Sequence, residues 1–388
     1  MQSLQRVRRA GGSWARRRWS SGRADTPLRR LLDDAGTFRE GGPGAGDESE
    51  LQWATQPYAA SAPAAEGPAR PAQDPRGATV LLFPGQGSQR VGMGLRLQDL
   101  PAARDLYDLA SSVVGWDVWR TCTVGPADEL DARCQTCVLV TSLAALERVR
   151  AQRPAALQRA RAAAGFSLGE VTALAFAGAL QLEAALRLVE LRTAAMRAAA
   201  ADRPGGMLTV WLAPDASLPR ALRLARDRAA ERGVRDPVCQ VANYLYPGCK
   251  VLAGDEEALR WLEAEGGAHG VRRAVRVRAC GAFHTALMAR AAEAVREATR
   301  AVRVAAPRVR VVSGVDARAV RSGEQAARQL ARAVEAPVRW EQALHALYAR
   351  PRGEGFPLTL ALGPGGTLRA TLRQVNARAW DHSLQVDV

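Results

Sequence analysis

The chain has 388 residues, of which 47% are hydrophobic, and a formal net charge of +15 at pH 7. This length allows a large core and more than one structural unit. No run of residues approaches the roughly 20 apolar positions that a membrane-spanning helix needs, so no membrane span is expected. The positive charge comes almost entirely from arginine, because the only lysine is Lys250.

The first 24 residues have a composition of their own. They contain seven arginines and no acid, with serine and tryptophan between them. This pattern is typical of a mitochondrial transit peptide and lacks the apolar core of a secretory signal, so it predicts a mitochondrial matrix protein. The alternative is a disordered basic arm that binds nucleic acid, which we do not expect. Residues 25–77 are rich in Gly, Ala, Pro and acids, and predict a disordered linker.

Six cysteines raise the question of metal or disulfide chemistry. Cys134 and Cys137 form a CxxC pair, but no second CxxC and no histidine pair completes a zinc site. We therefore expect reduced thiols and no bound metal.

The predicted fold begins at residue 78, where the apolar run ATVLLF leads into the loop PGQGSQ, residues 84–89. An apolar run bounded by Pro and Gly is typical of a buried parallel strand. Helices are expected near 102–114 and 138–152, and a pair of helices over about 169–200. Together these elements predict an α/β domain.

Residues 205–278 differ in texture from the rest of the chain. Their patterns predict the order strand, helix, strand, strand, helix, strand, which is that of a ferredoxin-like unit. We expect this unit to interrupt a larger α/β domain formed by 78–204 and 279–375, with 376–388 as a C-terminal tail.

The segment GFSLG places Ser167 between two glycines, each two positions away. This is the spacing of a nucleophile elbow, in which a serine on a tight strand-to-helix turn exposes its hydroxyl. The helix that follows presents free amide groups and a partial positive charge, which suit an oxyanion. Ser167 is therefore the candidate nucleophile.

A serine nucleophile needs a base, and the chain has four histidines. His284 lies where the inserted unit returns to the large domain, which favours an active-site position. His269, His345 and His382 have easier explanations in a loop, a helix and the tail. No aspartate or glutamate is an obvious third member of a triad, but a backbone carbonyl could orient the imidazole instead.

Arg192 occupies an unexpected place in its predicted helix. It falls within the apolar stripe that includes Val189 and Met196, while other charged residues lie on the opposite face. A charge that faces the core is costly unless it is paired. The alternatives are an internal ion pair, a side chain that reaches outward, or a guanidinium that binds a substrate carboxylate.

The loop PGQGSQ lacks the lysine and the spacing of a nucleotide-binding loop. The amide of Gln86 could instead form an oxyanion hole with the amide of Leu168.

Six motifs occur in the order found in malonyl-CoA:acyl carrier protein transacylases. They are PGQGSQ, GFSLGE, an arginine 25 residues after the serine, AFH followed by ALM, PVRW (337–340) and GPG (363–365). The resemblance covers about residues 79–375, and with the arginine-rich start the chain resembles the mitochondrial branch. The family implies an α/β-hydrolase-like large domain with a parallel sheet, interrupted by a ferredoxin-like small α+β domain.

The resemblance implies a ping-pong transfer of malonyl from malonyl-CoA to acyl carrier protein, without a cofactor. Ser167 would be the nucleophile and His284 the general base and acid. Arg192 would bind the malonyl carboxylate, and the amides of Gln86 and Leu168 would form the oxyanion hole. We expect the chain to act as a monomer.

The family also implies secondary roles. The backbone carbonyl of Ala333 would orient the catalytic histidine. Phe283, in AFH, would crowd an α-methyl group and so favour malonyl over methylmalonyl. Met196 and Asn243 are further expected substrate contacts.

Three positions depart from the family pattern. Phe166 stands where histidine is usual, Cys137 where a substrate-contacting glutamine is expected, and Leu245 lies in a loop of altered sequence. Two other functions stay open at this point. One is a serine thioesterase or esterase, and the other is a non-catalytic scaffold that binds carrier protein or RNA.

Overall fold

The computed structural model describes residues 77–351 and 353–388. The predicted transit peptide, and the predicted linker up to residue 76, lie outside the described residues. Within the described ranges, no helix combines the length and apolar character needed to cross a membrane.

The first part of the chain builds the centre of the large sheet and its surrounding helices. In chain order its elements are β1 (Thr79–Phe83), α1 (Pro101–Val114), α2 (Val118–Thr123), α3 (Ala127–Ala132), α4 (Cys134–Gln152), α5 (Pro154–Gln158), β2 (Ala160–Gly165), α6 (Leu168–Phe176) and α7 (Leu182–Asp202). The predicted helices and the strand before Ser167 are present, and α2, α3 and α5 are short helices that the sequence did not indicate.

The middle part is a separate four-stranded sheet with two helices. Its elements are β3 (Gly205–Leu212), α8 (Leu218–Glu231), β4 (Cys239–Tyr246), β5 (Cys249–Asp255), α9 (Glu256–Glu265) and β6 (Val271–Arg276). The strand order is β4-β5-β3-β6, and all neighbouring strands are antiparallel. This confirms the predicted ferredoxin-like architecture.

The last part returns to the large sheet. Its elements are α10 (Ala289–Ala301), β7 (Arg310–Val312), β8 (Ala319–Val320), α11 (Gly323–Glu335), α12 (Trp340–Tyr348), β9 (Leu358–Leu362), α13 (Thr367–Val375), α14 (Ala377–Asp381) and β10 (Ser383–Val386). The large sheet has the order β10-β9-β1-β2-β7-β8.

The large sheet is parallel as predicted except at one edge, where the short strand β8 runs antiparallel to β7. The expectation about the last residues of the chain needs correction. Residues 376–388 are not a tail, since they form α14 and then β10, which pairs with β9. Four residues are too few to show the alternation that identifies a strand in the sequence. This segment becomes a strand because it pairs with the edge of β9.

The centre of the large sheet is buried on both faces. Leu81 and Phe83 of β1 belong to one core cluster, and Val80 and Leu82 to another on the opposite side. Because β1 and β2 are parallel and pair Phe83 with Gly165, the loops that follow both strands leave the sheet at the same edge. The PGQGSQ loop and the turn that carries Ser167 are thereby brought together.

Backbone hydrogen bonds also tie the small sheet to the large part. The amide of Val338 donates to the carbonyl of Ala242, and the carbonyl of Val338 accepts from the amide of Tyr244. These bonds place the segment before α12 beside strand β4.

Candidate active site

Ser167 lies on a strained turn between β2 and α6, with φ 54° and ψ −105°. The flanking glycines are required because the backbones there lie too close for side chains. A Cβ on Gly165 would lie 1.8 Å from the carbonyl of Gly169, and a Cβ on Gly169 would lie 2.1 Å from the carbonyl oxygen of Phe83. The turn holds the hydroxyl above the sheet edge, as a nucleophile elbow does.

His284 contacts the serine hydroxyl directly. Its Nε2 lies 2.9 Å from Oγ of Ser167, and its Nδ1 lies 2.7 Å from the carbonyl oxygen of Ala333. Because a carbonyl can only accept, Nδ1 carries the proton and the lone pair of Nε2 faces the hydroxyl. The backbone amide of His284 also donates to the carbonyl of Val334. The C-terminal turn of α11 therefore orients the ring without a carboxylate.

The surroundings keep this imidazole neutral. Burial, and then the charge of Arg192, lower the pKa of His284 to about 4, while the hydrogen bond to Ala333 acts in the opposite direction. The ring can therefore accept a proton from serine across the physiological pH range.

Arg192 reaches the same hydroxyl from α7. Its side chain is buried, Nη2 donates to Oγ of Ser167 at 3.0 Å, and Nη1 donates to Oε1 of Gln135. Among the described residues no carboxylate forms an ion pair with it. Burial lowers its pKa only to about 10, so the guanidinium stays charged at neutral pH. Arg192 therefore neither forms an internal ion pair nor reaches outward to solvent. Its guanidinium is a buried cation that faces Ser167 without a carboxylate partner.

Gln135 is a site residue that the sequence analysis missed. Besides its contact with Arg192, its Nε2 lies 3.2 Å from Oε1 of Gln86 and 3.8 Å from Sδ of Met196. Assigning the family glutamine to Cys137 was wrong, because Cys137 is fully buried in the core. Two residues along a helix turn a side chain by about 200°, so only Gln135 on the first turn of α4 faces the site. Its position two residues before Cys137 was the signal available in the sequence.

The PGQGSQ loop lies directly on the elbow. A Cβ on Gly85 would be 2.4 Å from the carbonyl oxygen of Phe166. Within the described chain, the amides of Gln86 and Leu168 donate no hydrogen bond to another residue. Both donors are thus available to an oxyanion.

Phe283 and Asn243, two further expected substrate contacts, are both buried but have different surroundings. Phe283 is buried in the same core cluster as Met196 and precedes His284 in the chain. Asn243 is also buried, but in the described chain no hydrogen bond joins it to Ser167, His284 or Arg192, and its Oδ1 has no partner.

Phe166, the departure nearest the nucleophile, turns toward the core. Its ring packs edge-on against Trp340 of the PVRW motif, with centroids 5.6 Å apart and planes at 76°. An apolar contact of this kind replaces the polar group that the family usually places there.

The other histidines lie away from this cluster. The ring of His269 packs beside Trp261, His345 is exposed on α12, and His382 is exposed between α14 and β10. Over the described ranges, no group of three potential ligands could hold a metal ion.

Comparison with protein families matches residues 80–355 to the family described as the acyl transferase domain. A human relative, malonyl-CoA-acyl carrier protein transacylase, mitochondrial, is 42% identical over 80% of this chain and 80% of its own length. A mouse relative of the same name is 38% identical over 99% of this chain and 97% of its own. Among solved structures, a malonyl-transacylase in complex with its type II PKS acyl-carrier protein has a TM-score of 0.69 and 28% identity, covering 78% of this chain and 94% of its own.

Proposed function

Since this chain belongs to the acyl transferase family, we propose that it transfers a malonyl group from malonyl-CoA to the thiol of acyl carrier protein. The chain is an acyltransferase, and the named relatives are malonyl-CoA-acyl carrier protein transacylases. One observation carries the choice of residues. The hydroxyl of Ser167 contacts both a neutral imidazole and a buried guanidinium without a carboxylate partner.

In the first half of the reaction, Nε2 of His284 takes the proton of the Ser167 hydroxyl as Oγ attacks the thioester carbonyl of malonyl-CoA. The amides of Gln86 and Leu168 hold the resulting oxyanion. The C–S bond then breaks, and the CoA sulfur leaves with the proton from His284. The malonyl group remains as an ester on Ser167.

In the second half, the phosphopantetheine thiol of the carrier protein gives its proton to His284 and attacks the ester carbonyl. The C–O bond breaks and Oγ recovers the proton. Arg192 binds the malonyl carboxylate through both steps, as a planar guanidinium can pair with it in two hydrogen bonds. Gln135 holds Arg192 in place, and Phe283, Met196 and Asn243 complete the acyl pocket.

The choice of acceptor separates this function from a serine thioesterase. A transferase must admit a thiol to the acyl-serine while keeping water away. The buried side chains of His284 and Arg192 around the partly exposed Ser167 support transfer over hydrolysis.

The protein is mitochondrial, like its relatives, and we place it in the matrix on the arginine-rich start of the chain. We also propose a monomer, because one chain supplies every residue of the mechanism above. We take the small domain to span 205–278, the transit peptide 1–24 and the linker 25–77. The large domain is then 78–204 and 279–388, since β10 belongs to the large sheet.

Intact-protein mass spectrometry after mixing with malonyl-CoA tests the function. We expect one malonyl adduct that is lost in Ser167→Ala and kept in Ser112→Ala, an exposed serine on α1. Adding carrier protein should move the malonyl group to the carrier faster than water removes it. No adduct, an adduct that survives Ser167→Ala, or release mainly to water would each refute the proposal.

A further inference from the structure

Glu170 is a buried acid beside the nucleophile for which the mechanism above has no use. It lies on the first turn of α6, three residues after Ser167, and its side chain is 1% exposed. A glutamate at this helix position commonly turns back to cap the helix start. Here Oε2 instead accepts a hydrogen bond of 2.9 Å from the amide of Gly314, in the loop after β7.

That loop leads on to the histidine. The carbonyl of Gly314 accepts a hydrogen bond of 2.7 Å from the amide of Arg339. The segment that ends at Arg339 begins at the last turn of α11, whose Ala333 carbonyl lies 2.7 Å from Nδ1 of His284. Glu170 thus connects the helix that carries the nucleophile to the segment that orients the base.

The approach of Glu170 to the loop is close. A Cβ on Gly314 would lie 3.3 Å from Oε2 of Glu170 and 3.5 Å from Cγ1 of Val338. In the described chain, the second oxygen, Oε1, is buried and makes no hydrogen bond. The carboxyl meets the loop through the Gly314 amide, and the Ser313 hydroxyl next to it also favours the charged form of Glu170.

From this geometry we propose that Glu170 is a positioning residue that sets the distance between Ser167 and His284 through Gly314. It touches neither substrate nor the reacting atoms. The inference rests on the proposed function for the first measurement below, the rate of malonyl-ester formation. The second measurement, chemical labelling of Ser167, requires only the contact between Ser167 and His284.

The charge of Glu170 is not what the contact needs. Burial raises the pKa of Glu170 to about 7, and Asp316 acts in the same direction, against the Ser313 hydroxyl, the Gly314 amide and Arg192. Both protonation states are populated near neutral pH, and each keeps an oxygen that can accept from Gly314. The reach of the side chain is therefore what matters.

Two substitutions separate reach from charge. Glu170→Gln keeps the length and one acceptor oxygen but removes the charge, whereas Glu170→Asp keeps the charge but is one methylene too short. Thr172→Val is the matched control, because its buried hydroxyl on the same helix has no hydrogen-bond partner within the described chain. Glu170→Ala completes the set, and the Gln and Asp pair decides the question if the alanine variant does not fold.

The first readout is the single-turnover rate of malonyl-ester formation on Ser167, measured by rapid quench and intact mass. We expect Glu170→Asp to slow the step about 10- to 100-fold, the range that a misplacement near 1 Å can cause. The malonyl-CoA concentration at half-maximal rate should change less than about twofold, since no substrate contact is lost. Glu170→Gln and Thr172→Val should stay within about threefold of the unsubstituted protein.

The second readout is the rate at which phenylmethanesulfonyl fluoride labels Ser167, a reaction that uses the serine and the histidine but needs neither malonyl-CoA nor carrier protein. The same order of variants is expected. Equal labelling rates in the unsubstituted protein, Glu170→Gln and Glu170→Asp, or a Gln variant as slow as the Asp variant, would overturn the inference. If the unsubstituted protein forms no malonyl ester, but Glu170→Asp is still labelled more slowly than Glu170→Gln, the proposed function is refuted and the positioning role is supported.

Discussion

Replacing Arg192 with alanine separates a carboxylate-binding role from a structural one. Arg192 is 3% exposed, and among the described residues its guanidinium donates hydrogen bonds to Gln135 and to the serine hydroxyl. A malonyl carboxylate bound to it would form a desolvated ion pair. Losing one partner of such a pair costs about 2–5 kcal/mol, so malonyl transfer should fall by roughly 30- to 5,000-fold at about 1.36 kcal/mol for each factor of ten.

Acetyl-CoA has no carboxylate and provides the comparison. Its transfer should fall much less, because the alanine variant leaves Ser167 and His284 in contact. Arg192 also lowers the pKa of His284, so its removal raises that pKa and the assay belongs at about pH 8, where the ring stays neutral. The selectivity for malonyl over acetyl should therefore collapse.

The measurement is a single-turnover rate of ester formation with each thioester, followed by intact mass. Arg197→Ala on the same helix is the control, because Arg197 is exposed and, among the described residues, donates only to the carbonyl of Ala132. It should leave both rates near those of the unsubstituted protein. Equal losses for malonyl and acetyl in Arg192→Ala would show that Arg192 supports the fold and does not bind the carboxylate.

Three further predictions concern pH, packing and the contact between domains. The rate of ester formation should stay flat from pH 8 to about pH 5 and decline only as pH falls through the His284 pKa of about 4; a midpoint near 6.5, the ordinary histidine value, would contradict the buried neutral base. Gly169→Ala should lower the free energy of unfolding, measured in urea, by about 1–3 kcal/mol or more, because the added Cβ would lie 2.1 Å from the carbonyl oxygen of Phe83. Gly267→Ala is the control and should have little effect, since a Cβ on Gly267 would meet no atom within 4 Å. Equal losses in the two variants would refute the steric explanation. Lys250→Met should lower the free energy of unfolding by about 1.5–3 kcal/mol, because the 2.7 Å ion pair between Lys250 and Glu341 joins β5 to α12. In a double-mutant cycle, Glu341→Gln should lower the free energy of unfolding much less when Lys250 is already absent. Fully additive losses would show that the ion pair contributes no stability.

Much of the fold could be predicted because the local signals were strong. The run VLLF is apolar at every position and is bounded by Pro and Gly, as is typical of a strand buried on both faces, and β1 is such a strand. The order of elements in the small domain followed from alternating strand and helix periods. Strand β10 was missed, because four residues hold too few positions for a period and its pairing partner β9 lies elsewhere in the chain.

The site could be predicted where a residue contradicted its local pattern. Arg192 stood out as a charge in an apolar stripe, and Ser167 as a serine between paired glycines. Gln135 and Glu170 were missed, since a polar residue in the first turn of a helix is common and needs no special reason. Their roles depend on which distant groups they meet, namely Arg192 for Gln135 and the amide of Gly314 for Glu170.

The sequence by itself determined which reactive groups are available for catalysis. It supplied a serine on a glycine-flanked turn, a histidine at a domain junction and an arginine that faces inward. Only the tertiary structure decided how these groups act together. Parallel pairing of β1 with β2 brought the oxyanion loop to the elbow, and the end of α11 supplied a carbonyl to His284 in place of an acid. The physical reason is that hydrogen bonds and pKa shifts depend on distances and burial between segments far apart in the chain, which local patterns do not encode.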